Sequence, residues 1–412
     1  MNNRSDPQPL LVDRTGEALS SGPISQLNPA NDWPPVTITG EMINQEIERL
    51  ADLPRPANGR RQVMFTHPSA PNPGRGLTPG VQVTLEVLKP GEETTPIRHN
   101  STQVNFCILG EGEVVVGHRS IAYSRYDVWN HPSYVIYRHR NNSSKLHARL
   151  TYSNAALLEM MRVHLIDEDP PLESSVNGAD PGPKAGITPP VKQIGDDGAS
   201  LMPYETLINP PSVESNTLHW PWQTVKANLD ELGELGSSYV GRRLYLLFNP
   251  LTQRFNGTTP NFFATITIRP PGITDKPHRH VSSAINYYFK GSGYSRVEGK
   301  RYDWKAGDLM VSAPGWAVHN HASDDGDPVY ELTIQDQPLN IYMESLLWQE
   351  DLAEPGKILG AHQGFTTNLK KFTGRPDVLC PSCRSETGAV ETQSIQCIGG
   401  PEAYRLDRDS SW

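Results

Sequence analysis

This chain of 412 residues contains only four cysteines, unevenly spaced, so no disulfide framework holds it together. No apolar run approaches the roughly eighteen residues of a membrane span. The first residues, MNNRSDPQPLLVDRTGEALSSG, lack the apolar centre of a secretory signal. From these absences we expect a cytoplasmic protein without a membrane partner. Positive charge is also short, with 37 Lys and Arg against 46 Asp and Glu and a formal net charge of −9. That balance argues against nucleic acid or an anionic bilayer as a partner.

What the chain does have is length enough for two or three domains and a dense group of histidines. PHRH (residues 277–280) is followed by APGWAVHNH (313–321). Histidines two apart lie on the same face of a strand, and a third on a later strand can close the triangle. Three imidazoles converging from one side leave the opposite coordination positions of a divalent metal open, the arrangement metal-assisted catalysis uses. Between the two groups, β-rich runs are broken by KGSG, VEGK and KAGD. Such turn signals at short spacing describe a small antiparallel barrel or jelly roll.

The chain repeats itself. RHNSTQVNFCILGEGE, starting at Arg98, aligns with RHVSSAINYYFKGSGY, starting at Arg279, at a constant offset of 181 (279 − 98). With one residue deleted before the proline, Ile97 falls on His278, His99 on His280, Tyr137 on His319 and His139 on His321. The first unit keeps one of three candidate ligands, a poor set for a divalent ion. His99, Tyr137 and His139 could still make a small polar pocket there. The fold class we expect is mainly β, with two jelly-roll barrels each preceded by a short helix. The boundaries run as an arm over 1–40, a first barrel without metal over 41–165, a linker over 166–215, a second barrel with the active site over 216–350, and an extension over 351–412.

The motif residues resemble the cupin superfamily, with Gly272, His278, His280 and Gly291 in the first motif and Gly307, Pro314, Gly315 and His319 in the second. Ala284 stands where a typical cupin carries a glutamate ligand. That exchange, with HRHVSSAIN, GWAVHNH, LHWPW and RRLYLLFNP, is similar to gentisate 1,2-dioxygenase and relatives acting on salicylate and 1-hydroxy-2-naphthoate. The resemblance covers residues 218–335. It implies one Fe(II) per chain on His278, His280 and His319, O2 as co-substrate, and a small anionic aromatic substrate opened between hydroxyl and carboxylate. A homo-oligomer, dimer or tetramer, is implied as well. Two departures from the family are the metal in the second barrel rather than the first, and Asn286 where an arginine is common.

Strand parity places Ser282, Ala284, Asn286 and Tyr288 beside the histidines on the inward face. Asn286 and Tyr288 are candidates for orienting substrate, and Arg243 and Arg296 for holding its carboxylate. His321 is the candidate catalytic acid or base, with a supporting or strand-end role as its alternatives. Cys380, Cys383 and Cys397 are one ligand short of the four a zinc knuckle needs, so they read as thiols in an extension, with a structural zinc as the other reading. The expected function is an Fe(II)-dependent dioxygenase cleaving or oxidising a hydroxylated aromatic acid. The alternative is a metal-dependent cupin performing oxidative C–C cleavage, elimination or isomerisation on another small polar acid.

Overall fold

The segment AINYYFK shows how the sequence builds the molecule. Its strand, Ala284–Lys290, is covered on both faces: Ile285, Tyr287 and Phe289 enter one large apolar core, while Ala284 and Asn286 line a cavity on the other side. In this computed structural model, which describes residues 32–171, 192–194, 199–202, 216–234 and 243–358, the strand sits inside a six-stranded sheet. The order is Thr37–Ile38, Leu309–Ala313, Ala284–Lys290, Val329–Gln335, Phe263–Arg269, Leu244–Leu246. The first half builds the same sheet from His219–Trp220, Val128–His131, Gln103–Leu109, His147–Ser153, Gln82–Leu88 and Arg61–Phe65. Smaller sheets face each of them, including Lys300–Lys305, Ser292–Val297 and His319–Ser323 in the second half, and complete two jelly-roll barrels.

The apolar backs of the two six-stranded sheets share a single core. Phe106 lies with its ring centroid 5.7 Å from Tyr287 and 5.5 Å from Phe289, and Tyr126 lies 4.7 Å from Phe289. Burying one such ring contributes about 1.5–3 kcal/mol.

Each sheet also takes its first strand from the other half of the chain. Thr37 pairs with Met310, and His219 pairs with Trp129. A helix follows each exchanged strand, Gly40–Asp52 and Trp222–Gly233. Asp308 accepts from the Gly40 N–H at 2.7 Å and Asp127 from the Trp222 N–H at 2.7 Å. The two aspartates are equivalent at the repeat offset, so each half strings its lead-in across to a carboxylate of the other.

The first helix precedes its barrel as expected and is capped by the Thr39 hydroxyl, which accepts from the Met42 N–H. Ile43, Ile47 and Leu50 are buried, whereas Met42 and Leu53, which fit the same spacing, are exposed. The second helix begins at Trp222, three residues after the exchanged strand starts at His219. Pro221 has no N–H and biases Trp220 to extended backbone, which turns HW into a strand. The expected linker begins as ordered strand, since Ile166–Glu168 pairs with Ile97–His99. At the other end, Leu347–Gln349 pairs with Lys357–Ile358. Most of the arm, most of the linker and the three C-terminal cysteines lie outside the described residues. Cys107 is buried, and burial pushes its thiol up to about 12. Among the described residues no helix is long and apolar enough to cross a membrane.

Because one core serves both halves, Phe106→Ala is expected to cost about 3–5 kcal/mol and to lower a single thermal transition. Two separate transitions in a calorimetric scan, only one of them shifted, would contradict the shared core.

Candidate metal centre and active site

His278 and His319 face each other across an antiparallel bridge, exchanging N–H···O bonds of 3.0 and 2.9 Å. His280 lies two residues along, on Arg279–His280, opposite Trp348. The three imidazoles are buried and offer ligand nitrogens within 4.8 Å of one another. They form the one such cluster of three or more among the described residues.

A backbone carbonyl fixes the tautomer of each ring. His278 Nδ1 is 3.1 Å from the Lys276 oxygen, His280 Nδ1 2.7 Å from Ser282 and His319 Nδ1 2.9 Å from Ala317. A carbonyl can only accept, so each Nδ1 carries the proton and each neutral Nε2 carries the lone pair. This is the arrangement that orients histidine for a metal. Ala284 lines the same cavity and contributes no ligand, so the donor set is three neutral imidazoles, which fits a divalent first-row ion. The indole of Trp348 stacks on His280 with centroids 4.8 Å apart and lies near-parallel to His278 at 5.9 Å.

The three imidazoles open onto a cavity whose empty space, counted out to its solvent mouth, is about 670 Å³. Of the residues singled out in sequence, His278, His280, His319, His321, Asn286 and Arg243 all line it. The amide of Asn286 is fixed at both ends: its Nδ2 donates to Thr333 Oγ1 at 3.0 Å, and its Oδ1 accepts from the Ser312 hydroxyl.

Tyr288 and Arg296 do not reach the cavity. Tyr288 does point inward, as parity requires, but its ring is stacked on Trp304 at 3.7 Å in a separate core cluster. Arg296 is exposed, over the ring of Tyr294, because its neighbour Ser295 takes the inward position on that strand. Tyr288 instead acts at one remove. Burial holds its phenol well above the usual range, so it stays protonated, 3.3 Å from Ser295 Oγ. Trp304 Nε1 donates to the same oxygen at 3.0 Å. Ser295 Oγ in turn lies 2.8 Å from His321 Nδ1, where a proton given by the serine leaves neutral His321 its own proton on Nε2.

Arg269, Glu331 and Asp275 were not foreseen. Arg269 donates to both Glu331 oxygens at 3.1 Å and to Asp275 at 2.9 Å, and all three line the cavity. Burial alone would lower the guanidinium pKa; Glu331 and Asp275 outweigh that and raise it. The signal was present in FATITIR and VYELTIQ, where a lone charge interrupts an otherwise uncharged buried strand.

The comparisons with known proteins agree with this architecture. A family profile described as AraC-like ligand binding domain matches residues 263–362. A 5-aminosalicylate 1,2-dioxygenase of Comamonas sp is 25% identical over 308 residues, 72% of this chain and 77% of that protein. The crystal structure of salicylate 1,2-dioxygenase from Pseudaminobacter salicylatoxidans superposes with a TM-score of 0.64 at 17% identity, covering 85% of this chain and 94% of that one. The chain is similar to ring-cleaving dioxygenases over most of its length, and its two-barrel fold is that of the salicylate enzyme. A gentisate 1,2-dioxygenase of Ralstonia sp is 30% identical over 153 residues, so that match spans 35% of this chain and 42% of the Ralstonia enzyme.

In this bicupin the first barrel has closed its counterpart site with its own side chains. His99 Nδ1 is anchored on the Ser101 carbonyl at 3.1 Å, as His280 is on Ser282. Its Nε2, however, is 2.9 Å from the Tyr137 hydroxyl. Tyr137 stands where His319 stands in the second barrel, and its O–H takes the lone pair that a metal would need. The expected pocket of His99, Tyr137 and His139 is thus a packed group, with the His139 ring 5.6 Å from Tyr137.

His278→Ala or His319→Ala is expected to abolish bound metal, measured by elemental analysis, and His99→Ala to leave it unchanged. Stoichiometric metal in the first two variants would place the site elsewhere. Burial, with help from His164, lowers the His99 pKa to about 4, so the native state holds this ring neutral while the unfolded chain protonates it below about 6.5. The native state therefore loses stability as pH falls from 6.5 towards 4, by about 3 kcal/mol from this residue. His99→Gln should flatten that part of a denaturation-versus-pH curve, and an unchanged slope would count against the assignment.

Proposed function

We propose that this protein is a non-haem Fe(II)-dependent dioxygenase that opens the ring of a hydroxylated aromatic carboxylic acid of the gentisate or salicylate kind. One observation carries the reading: three buried neutral imidazoles, each with its tautomer fixed by a carbonyl, with no carboxylate among the ligands. Such a donor set leaves the full charge of a divalent ion for an anionic chelate, such as an ortho-hydroxy carboxylate, to neutralise. Iron(II) bound there would supply a centre where substrate and dioxygen meet. The relatives named for 5-aminosalicylate and gentisate support the substrate class.

The residues around that centre have distinct tasks. Arg243, on the cavity wall, provides positive charge for the substrate carboxylate. Arg269 provides little, since Glu331 and Asp275 already balance it. Asn286, locked by Thr333 and Ser312, presents a fixed dipole to the substrate. His321, with its proton on Nε2, donates to substrate oxygen and can take a proton back through the same atom. Overall, both atoms of dioxygen enter the product and one ring bond breaks. The same reading carries the metal in the segment 216–350 and a cytoplasmic homo-oligomer.

Iron-loaded protein is expected to consume one dioxygen per substrate on at least one member of a panel of gentisate, substituted salicylates and hydroxynaphthoates. No uptake on any of them would favour non-oxidative chemistry on a small polar acid. His321→Ala should keep its iron and lose about 100- to 10,000-fold in kcat, the usual contribution of a positioned acid or base. Wild-type turnover by that variant would remove His321 from the mechanism.

A further inference from the structure

Against the turn that follows His280 lies a buried carboxylate that none of the chemistry above uses. Asp336 begins the short helix Gln337–Tyr342 and is only 8% exposed. Its Oδ1 accepts from the Ser283 N–H at 2.8 Å. Ser283 belongs to the turn that holds His280, because the Ser282 carbonyl and hydroxyl both meet His280 Nδ1, at 2.7 and 2.9 Å. Gln335, the residue before Asp336, accepts from the Ser282 hydroxyl at 3.1 Å and itself lines the cavity. Asp336 therefore ties down the turn that fixes which way His280 points.

The first barrel contains the same device in neutral form. There Asn154 Oδ1 accepts from the Thr102 N–H at 2.9 Å, and Ser101 anchors His99 as Ser282 anchors His280. The amide suffices in the barrel whose histidine meets a tyrosine. A carboxylate stands in the barrel whose histidine meets a metal.

We propose that Asp336 is a positioning residue for the three-histidine site, and that its ionisation couples a proton to metal binding there. The proposal rests on the metal-site reading above. Burial raises the Asp336 carboxyl to about 7, against the opposing pull of the Ser283 N–H and of its own backbone amide. No charged side chain contributes to that shift. The groups packed around it are neutral: Ser283, the Asn340 amide, which donates to the Asp336 backbone oxygen and lies near Oδ1, and Gly80, where any Cβ would stand 2.7 Å from Oδ2. The ionised form binds the Ser283 N–H more strongly than the protonated one and has a negative charge that a divalent cation on His280 partly compensates. Metal binding and Asp336 deprotonation thus favour each other, by the same factor in both directions.

The test is metal affinity of the full chain against pH, using Fe(II) under anaerobic conditions and Zn(II), each in competition with a chelator of known affinity. Asp336→Asn copies the arrangement of Asn154 and should fold normally. At pH 6 it should match the wild type, and at pH 8 it should bind about fivefold more weakly, a coupling at the low end of those between sites. Asp336→Ala leaves the turn untied and should lose about tenfold at pH 6, the usual cost of a supporting group behind a metal ligand, and about fiftyfold at pH 8, where the charge is lost as well. Asn154→Asp should add no pH dependence. A wild-type and Asp336→Asn pair with superimposable curves would overturn the coupling, and full affinity in Asp336→Ala would overturn the positioning role. A wild type that binds neither ion would instead sink the metal-site reading itself.

Discussion

The apolar seam between the two six-stranded sheets is the constraint from which the active site follows. Ile285, Tyr287 and Phe289 enter the core shared with Phe106 and Tyr126, and this fixes which edge of each strand faces out of the barrel. Because side chains alternate, the same choice directs Ala284 and Asn286 into the cavity. A slip of one residue would bury Asn286 in the seam and turn Phe289 into the barrel. Burial of aromatic rings in one place thus determines the chemistry presented in another.

The exchanged strands and the aspartates at 127 and 308 reinforce this arrangement. Each lead-in helix starts on a carboxylate of the opposite half, so neither barrel completes its large sheet without the other. The barrel with the three-histidine cluster is held in shape partly by chain that belongs, in sequence, to its neighbour.

Much of this was legible in the residues. The His-x-His spacing, the alanine at the glutamate position and the offset of the repeat pointed to the face on which three imidazoles converge and to the half that lacks them, because strand parity and short turns are local properties. Asn286 fell on the cavity for the same reason. Tyr288 and Arg296 were harder. Parity says which face a residue occupies, but not how deep along the barrel it lies or which neighbour it stacks on; Trp304 claims Tyr288 from a hairpin strand sixteen residues away (304 − 288). The Arg269, Glu331 and Asp275 group was missed because its members come from separate segments that only the sheet register brings together. The exchanged strands were missed too, since two-residue pairings such as Thr37–Ile38 leave almost no pattern in a sequence.

The tyrosine in the first barrel bears on how the molecule meets a shortage of metal. Where an ion would bridge strands, the hydroxyl of Tyr137 already does so from within, and the shared seam extends that rigidity to the working half. That half of the scaffold closes on side chains alone, so protein short of its metal is expected to accumulate as a folded reserve ready to load, rather than as unfolded chain for proteases.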